Sequence, residues 1–512
     1  MKLGSRFLSK FAGCIVAVLS SFDRVIFKGH LPFGDAGHLN AYVDRVLKMR
    51  RKDFLDLLQT NSEALINHAR QTAEQAGRPY LYLQGKCRKD RLIDKLIRQD
   101  GLTKGLVAVL CCQETCRTVK LRYAEGRPEL VFAPRPQRVV YYYWLDAQFG
   151  LMYVRLQSWF PYTIQIYVNG HDWLARQMLR RKVGFTQRDN AFTALDDPRK
   201  AQQLADRFVQ LPWIKQLSRF ATQVNPLLRQ QPWLGRSGYY WVIEQAEYST
   251  DLLFQSRQHL APLYRRLLDF AAVNLSAADI LSFLGRKPHG NFQGEVLSDC
   301  KKDRQPGARV KHRVKDNWLK MYDKFGQMLR IETVINQPRE FRVRRRRTRN
   351  GRRQMVWCPM NKGVANLYQY QRIGRTANAR YLDAISVVND PAPAYRRVER
   401  LVRPVVQNGR SYAGFNPARQ EQVRLLQSLL DGKYALHGFR NADIRTAYYP
   451  ATATPEEVKR RRSALGRVFR RLHVRGLLAK IPRTRRWRIT SQGQQLLGAV
   501  VQLYYHGLAT AA

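Results

Sequence analysis

The sequence predicts an α+β protein: a mixed N-terminal α+β region, a central antiparallel-sheet domain with a basic β-hairpin, and a C-terminal winged helix-turn-helix. Three observations lead there. Stretches with the period of two that marks half-buried strands alternate with stretches of helical period through most of the chain. Two glycine-centred segments, Phe325-Gly326-Gln327 and Asn350-Gly351, each separate β-capable runs as a hairpin turn does. The C-terminal segment reads helix, helix, basic helix, basic strand pair. At 512 residues the chain has room for roughly two to four domains, each with a core of its own. The boundaries are placed at 1–235, 236–360, 361–414 as a basic helical linker, and 415–512.

The first region opens with IVAVLSSFDRVIF, residues 15–27, which reads as buried β structure and not as a signal peptide. Cys14 precedes most of the apolar run, and no small-x-small cleavage site stands before Phe22-Asp23-Arg24. GHLNAYVDRVLKMRRKDFLDLL and then NSEALINHARQTAEQAG are expected to be helical, GLVAVLCCQETCRTVKLRY and RVVYYYWLD to be strands. Two further strands flank Trp159-Phe160-Pro161, with a turn at Asn169-Gly170 and a helix after it. The aromatics Tyr141, Tyr142, Tyr143, Trp144, Trp159, Phe160, Tyr162 and Tyr167 alternate with Arg155 and Gln165. That pattern suits a packed core under a sheet, or a surface on which unpaired bases stack. The seven cysteines, odd in number and irregularly placed, fit reduced thiols in a cytoplasm. Cys111, Cys112 and Cys116 lack a second ligand pair at zinc spacing and read as buried thiols on a strand.

The second region begins near Ser237 with the strand-like GYYWVIEQAEYSTDLLF and the helical SRQHLAPLYRRLLDFAAVNL. FLGRKPHGNFQGEVLSD and ARVKHRVKDN follow, and then KMYDKFGQMLRIETVIN, in which charged and apolar residues alternate on both sides of Gly326. Register decides its faces, since a slip of one residue moves every side chain to the other side. A three-residue loop pairs Tyr322 with Arg330 and Lys320 with Glu332, and gathers Leu319, Met321, Leu329 and Ile331 opposite. One face then joins the core. The other is expected to carry a tyrosine, three cations and a carboxylate, either as a solvated ion pair or as a site.

REFRVRRRRTRNGRRQMVWCPM follows, with Asn350-Gly351 as its turn. Arg342, Arg344, Arg345, Arg346, Arg347, Arg349, Arg352 and Arg353 crowd this hairpin and repel one another unless an anion meets them. Lys362 to about Leu401 is helical and basic, and RPVVQNGRSYAGFNP reads as a loop. In the last segment Thr454 opens a helix that turns Leu465, Val468, Phe469 and Leu472 inward. Arg461, Arg462, Arg467, Arg470 and Arg471 surround its other sides. RGLLAKIPRTRRWRIT then makes a wing whose turn holds Arg483, Arg485 and Arg486.

The charge narrows the partner. Eighty-nine Lys and Arg stand against 39 Asp and Glu, a formal +50, far more than solubility requires and directed at a polyanion. Nucleic acid fits best. A membrane is set aside because no apolar run approaches a spanning length. Arginine on both the third helix and the wing favours DNA for the winged helix, and phosphate contact for the hairpin. A structured noncoding RNA remains the alternative ligand.

LKMYDKFGQMLRIETVIN resembles the paired strands of tyrosine-using rolling-circle replication initiators and phage nickases. In that family a tyrosine attacks a phosphodiester and stays on the 5′ end while carboxylates hold a divalent metal. The resemblance implies a strand-cleaving site in which Tyr322 is the nucleophile, with Tyr248 as its alternative. Phosphoryl transfer also needs cations for developing charge and carboxylates for Mg2+ or Mn2+. Lys324 and Arg330 supply the first. Glu332 and Glu244 are the expected metal ligands, with Asp323 and Glu247 beside them; alternation puts Glu244, Ala246 and Tyr248 on one face of their strand and Gln245 and Glu247 on the other. FDRVIFKGHLP, SWFPYTIQIYVNG and FLGRKPHGNFQGEV, together with that hairpin, resemble a family of basic, often multicopy bacterial proteins ending in a winged helix. This implies a mobile element, and so a transposase or replication-initiator-like nuclease. The alternatives are a non-catalytic structured-RNA-binding or RNA-guided protein, or a DNA-binding regulator. A restriction-like nuclease wants a Glu-x-Lys, which Glu332-Thr333-Val334 lacks.

Overall fold

The computed structural model describes residues 5–85, 87–124, 127–235, 238–286, 296–301, 309–349, 351–388, 399, 401–431, 434, 438–450, 454–502 and 504–505. Its strands in chain order are β1 Ile15–His30, β2 Tyr80–Leu83, β3 Gly105–Ala124, β4 Arg127–Asp146, β5 Gly150–Gln157, β6 Ile164–Asn169, β7 Phe185–Arg188, β8 Ala191–Leu195, β9 Tyr240–Phe254, β10 Val296–Lys301, β11 Arg309–Val314, β12 Asn317–Lys324, β13 Met328–Ile335, β14 Arg342–Arg349, β15 Arg352–Pro359, β16 Val405–Gln407, β17 Arg410–Tyr412, β18 Leu478–Lys480 and β19 Trp487–Ile489. The protein is mixed α+β. One large sheet runs β10-β11-β12-β13-β9-β1-β6-β5-β4-β3-β2, and β14-β15, β16-β17, β18-β19 and β7-β8 form small sheets of two. The β2–β3 pairing is parallel, while β3 to β6 and β1 with β6 pair antiparallel. Strands of the first and second sequence regions therefore share one sheet.

By compactness the chain divides into two units: Ala17–Asp251 with Thr333–Arg375, and Met1–Val16, Leu252–Glu332 and Thr376–Ala512. In the first unit the aromatic strands are core. Tyr142, Phe160 and Tyr162 are fully buried and Tyr141, Tyr143 and Trp144 nearly so, with Tyr142 stacked on Trp144 at 5.5 Å. Packing thus already uses these six rings, while Trp159 and Tyr167 are half-buried. Cys111, Cys112 and Cys116 are buried on β3 as expected.

The N-terminal helices divide differently from the sequence expectation. Lys48 is left-handed at φ 52° and Arg50 extended, so the helical run breaks there. One long helix, Arg51–Gln75, then runs on through both helical stretches, burying Phe54, Leu58, Leu65, Ile66, Ala69 and Ala73 at helical spacing. Asn169 is the N-cap of the helix Gly170–Arg180, and not part of a turn: its side chain accepts from the backbone N–H of His171 and Asp172 at 2.9 and 3.2 Å.

In the second unit the loop of the β12–β13 hairpin is three residues long, Phe325 to Gln327, with Phe325 and Gly326 both left-handed. RPVVQNGRSYAGFNP is not plain loop: Asn408-Gly409 turns β16 onto β17. The C-terminal part builds a winged helix-turn-helix. Helices Gln420–Leu429, Asn441–Tyr448 and Pro455–Val474 pack Leu426, Leu429, Ile444, Leu465, Phe469 and Leu472 into one core. Thr454 caps the third helix through the Glu457 N–H, and β18–β19 is the wing.

The same unit buries an uncharged histidine. His312 on β11 lies with Nδ1 2.8 Å from Ser298 Oγ and Nε2 3.1 Å from Tyr381 Oη, and burial pushes its pKa down to about 3. In the unfolded chain it titrates near 6.5, so its contribution is fully present above that pH and is lost as pH falls from about 6.5 toward 3. The expected loss is at most about 1.4 kcal/mol per pH unit in that window. Thermal melts of the wild type and His312→Gln across it check this: the wild type should lose stability the more steeply on acidification.

Candidate active site and nucleic-acid interfaces

Three neighbouring strands of the large sheet, β13, β9 and β1, each contribute one carboxylate to a common point. Glu332, Glu247 and Asp23 are all buried, and each offers an oxygen within 4.8 Å of the others. Like charges at that spacing in a low dielectric repel by several kcal/mol unless cations or protons intervene.

Each carboxylate is held from behind. Glu332 accepts from the Tyr322 hydroxyl at 2.6 Å and from Lys320 Nζ at 2.5 Å. Glu247 accepts from Gln245 Nε2 at 3.1 Å and faces Arg24 Nε at 3.9 Å. Asp23 accepts from Asn190 Nδ2 at 2.8 Å and lies 3.3 Å from His171 Nδ1. His171 is fully buried; its Nε2 is 3.7 Å from Asp251 and 3.3 Å from Ser21 Oγ. Local sequence explains its position. A Cβ at Gly170 would stand 2.1 Å from the Phe22 carbonyl, so only glycine lets the Asn169-capped helix start against β1 and bring His171 beside Asp23.

The structure brings together Tyr322, Glu332 and Glu247, and separates the other expected site residues from them. Glu244 is not with Glu332: Lys362 and Lys28 hold its carboxylate at 3.2 and 4.0 Å. Tyr248, one position beyond Glu247, is buried against Gly374 with its hydroxyl accepting from Arg375 Nε at 3.2 Å; burial pushes its pKa up to about 12. Asp323 lies near the end of β12 and faces the hairpin turn, where burial raises its pKa to about 6 against the backbone hydrogen bonds of Gly326 and Met328. Lys324 and Arg330 lie on no solvated face, since β13 is buried along its whole length and both cations are at most 1 % exposed. Asp23 and His171 were absent from the sequence expectation. An aspartate inside an otherwise apolar buried strand was the signal for the first.

In the arginine hairpin β14–β15 Arg349 stands opposite Arg352 and Gly351 is left-handed at φ 73°; Asn350, the other expected turn residue, lies outside the described residues. Val343 and Cys358 bury its base, and Arg345 is tied there to Asn361 and Asn366 at 3.0 and 2.7 Å. Arg342, Arg344, Arg346, Arg347, Arg352 and Arg353 are exposed.

In the winged helix the arginines split into two kinds. Arg461 is bound to Glu457 at 2.7 Å and to the Pro450 carbonyl, Arg471 to the carbonyls of Ala413 and Gly414 and over the Phe415 ring at 4.0 Å, and Arg486 to the Gly438 carbonyl. These hold the fold. Arg462, Arg467 and Arg470 on the third helix and Arg483 and Arg485 on the wing are exposed. Replacing Arg467 and Arg470 together by Ala is expected to weaken duplex binding and flatten its salt dependence while leaving the melting temperature in place. Arg471→Ala should instead lower stability by about 1 kcal/mol, because two carbonyls lose their donor. Anisotropy titrations and melts of the full chain check both.

Among the described residues no helix is long and apolar enough to cross a membrane. Comparison with protein-family models, with curated proteins and with solved structures returned no match.

Proposed function

We propose that the protein binds DNA and cleaves a strand of it in a metal-dependent reaction, as a transposase or replication-initiator-like nuclease of a mobile element does. One observation carries this reading: Asp23, Glu247 and Glu332 bring three carboxylate oxygens within 4.8 Å of one another in a chain of formal charge +50. An all-oxygen donor set of this kind suits Mg2+ or Mn2+. Bound there, such an ion would polarise a phosphodiester and lower the pKa of water. The chain's own groups do the rest. Tyr322 and Lys320 fix both oxygens of Glu332, Asn190 and His171 fix Asp23, and Arg24, 45 % exposed at its side chain, leads from the carboxylates to solvent and toward a phosphate. The winged helix and the arginine hairpin hold the nucleic acid.

A second reading has one specific support. The Tyr322 hydroxyl lies 2.6 Å from Glu332 Oε2, close enough to pass its proton to that carboxylate and attack phosphorus itself; the P–O3′ bond then breaks, the 3′ oxygen leaves and takes up a proton as a 3′ hydroxyl, and the 5′ phosphate stays on the tyrosine. Incubating the full chain with supercoiled plasmid and with single-stranded DNA, each with Mg2+ or Mn2+, tests the proposal. Nicks are expected. A covalent adduct would assign the nucleophile to tyrosine, and nicking without one to water. If neither substrate is cut in either metal, strand cleavage is wrong; tight RNA binding in its place would leave the noncoding-RNA reading.

A further inference from the structure

The arginine hairpin carries an aromatic that its charge does not explain. Residues directly opposite in β14 and β15 share a face, and the register pairs Arg342 with Pro359, Arg344 with Trp357, Arg346 with Met355 and Thr348 with Arg353. Every side chain of this face is exposed. Trp357 is 58 % exposed and Met355 49 %. The opposite face is different, because Val343 and Cys358 are buried at its base. The hairpin therefore packs by one side and offers the other, with a large flat apolar ring set among arginines that stand about 7 Å apart along the strand.

A tryptophan left this open contributes little to folding, since burial is what stabilises it. Phosphate contact alone does not require it either; arginines suffice for a duplex backbone. A ring of this size with cations on both sides matches a nucleobase whose face is free, together with the phosphates that flank it. Bases in a duplex present no free face. We propose that this face of the β14–β15 hairpin is a binding site for unpaired single-stranded nucleic acid, in which a base stacks on Trp357 while Arg344 and Arg346 meet its phosphates. This deepens the strand-cleaving reading and rests on it for the presence of a nucleic-acid substrate, because a protein that opens or cuts a strand must hold the unpaired end.

Binding in EDTA, where no metal-dependent cutting occurs, isolates the inference. The full chain, Trp357→Ala and Trp357→Phe are titrated into labelled oligo(dT) and into a labelled blunt duplex, at several salt concentrations. Trp357→Ala is expected to lose about 10-fold in affinity for oligo(dT), as loss of one base stack implies, with duplex affinity within about twofold. The salt slope should not change, because no phosphate contact is removed. Trp357→Phe should recover much of the loss. An equal loss on both ligands, no loss on oligo(dT), or a phenylalanine no better than alanine would overturn the site. Wild-type binding without cleavage in Mg2+ or Mn2+ would sink the catalytic reading alone, and a wild type that binds neither ligand would sink both.

Discussion

Asp23→Asn, Glu247→Gln and Glu332→Gln should each lower the rate of plasmid nicking by roughly 10³-fold, about 4 kcal/mol of transition-state stabilisation, while leaving the chain folded. The three belong to one group of oxygens within 4.8 Å, so removing any one charge should remove most of the activity, and double variants should be little worse than single ones. Glu244→Gln is the control. Its carboxylate is held by Lys362 and Lys28, so its nicking rate should stay within a few-fold of wild type. Tyr322→Phe separates the two nucleophiles. If water attacks, the loss of one hydrogen bond to Glu332 should cost about tenfold at most; if tyrosine attacks, no product should form. Full activity in Glu247→Gln and strong loss in Glu244→Gln would overturn this grouping and restore the pair expected from sequence, Glu332 with Glu244.

Local patterns made the hairpin of β12 and β13 legible, and longer-range placement limited the rest. Alternation in KMYDKFGQMLRIETVIN was enough to give the three-residue loop and the grouping of Lys320, Tyr322 and Glu332, which the hydrogen bonds to Glu332 reproduce. Alternation could not show whether other elements cover the charged face, so it left a solvated face and a site both open for Lys324 and Arg330, which are buried. The parity of β9 predicts Glu244 and Glu247 on opposite faces, but which of the two meets Glu332 depends on sheet order. That order places β9 between β13 and β1, and no local signal reports it. Asp23 was lost for the same reason, since its partners lie more than 140 residues away in His171 and Glu247. Asn-Gly shows how far a dipeptide reaches. At 408–409 it turns a hairpin that was read as loop, and at 169–170 it caps a helix, while Asn350 lies outside the described residues. Asparagine's short acceptor serves a turn or an N-cap equally, and only the flanking periodicity separates them.

Divalent metal should raise the thermal stability of the full chain, and this expectation needs no substrate. The three buried carboxylates crowd one point, where Lys320 stands 2.5 Å from Glu332 and Arg24 stands 3.9 Å from Glu247, the latter half in solvent and correspondingly screened. Lys320 bears on Glu332 and Arg24 on Glu247, and Asn190 and His171 stand beside Asp23. An ion that binds only the folded chain stabilises it by about 2.7 kcal/mol at a hundred times its dissociation constant, a rise of a few degrees in melting temperature. Melts in EDTA and in graded Mg2+ or Mn2+ read this directly. In Asp23→Asn the increment should vanish, because a ligand is gone, while the melt in EDTA should be no lower than wild type, because a repelling charge has gone with it. Glu244→Gln should keep the full increment. A wild type whose melt ignores both metals would mean that Lys320, Arg24 and the buried cations of β12 and β13 already neutralise the three carboxylates. They would then be a structural ion network, and the arginine surfaces would bind nucleic acid without cutting it.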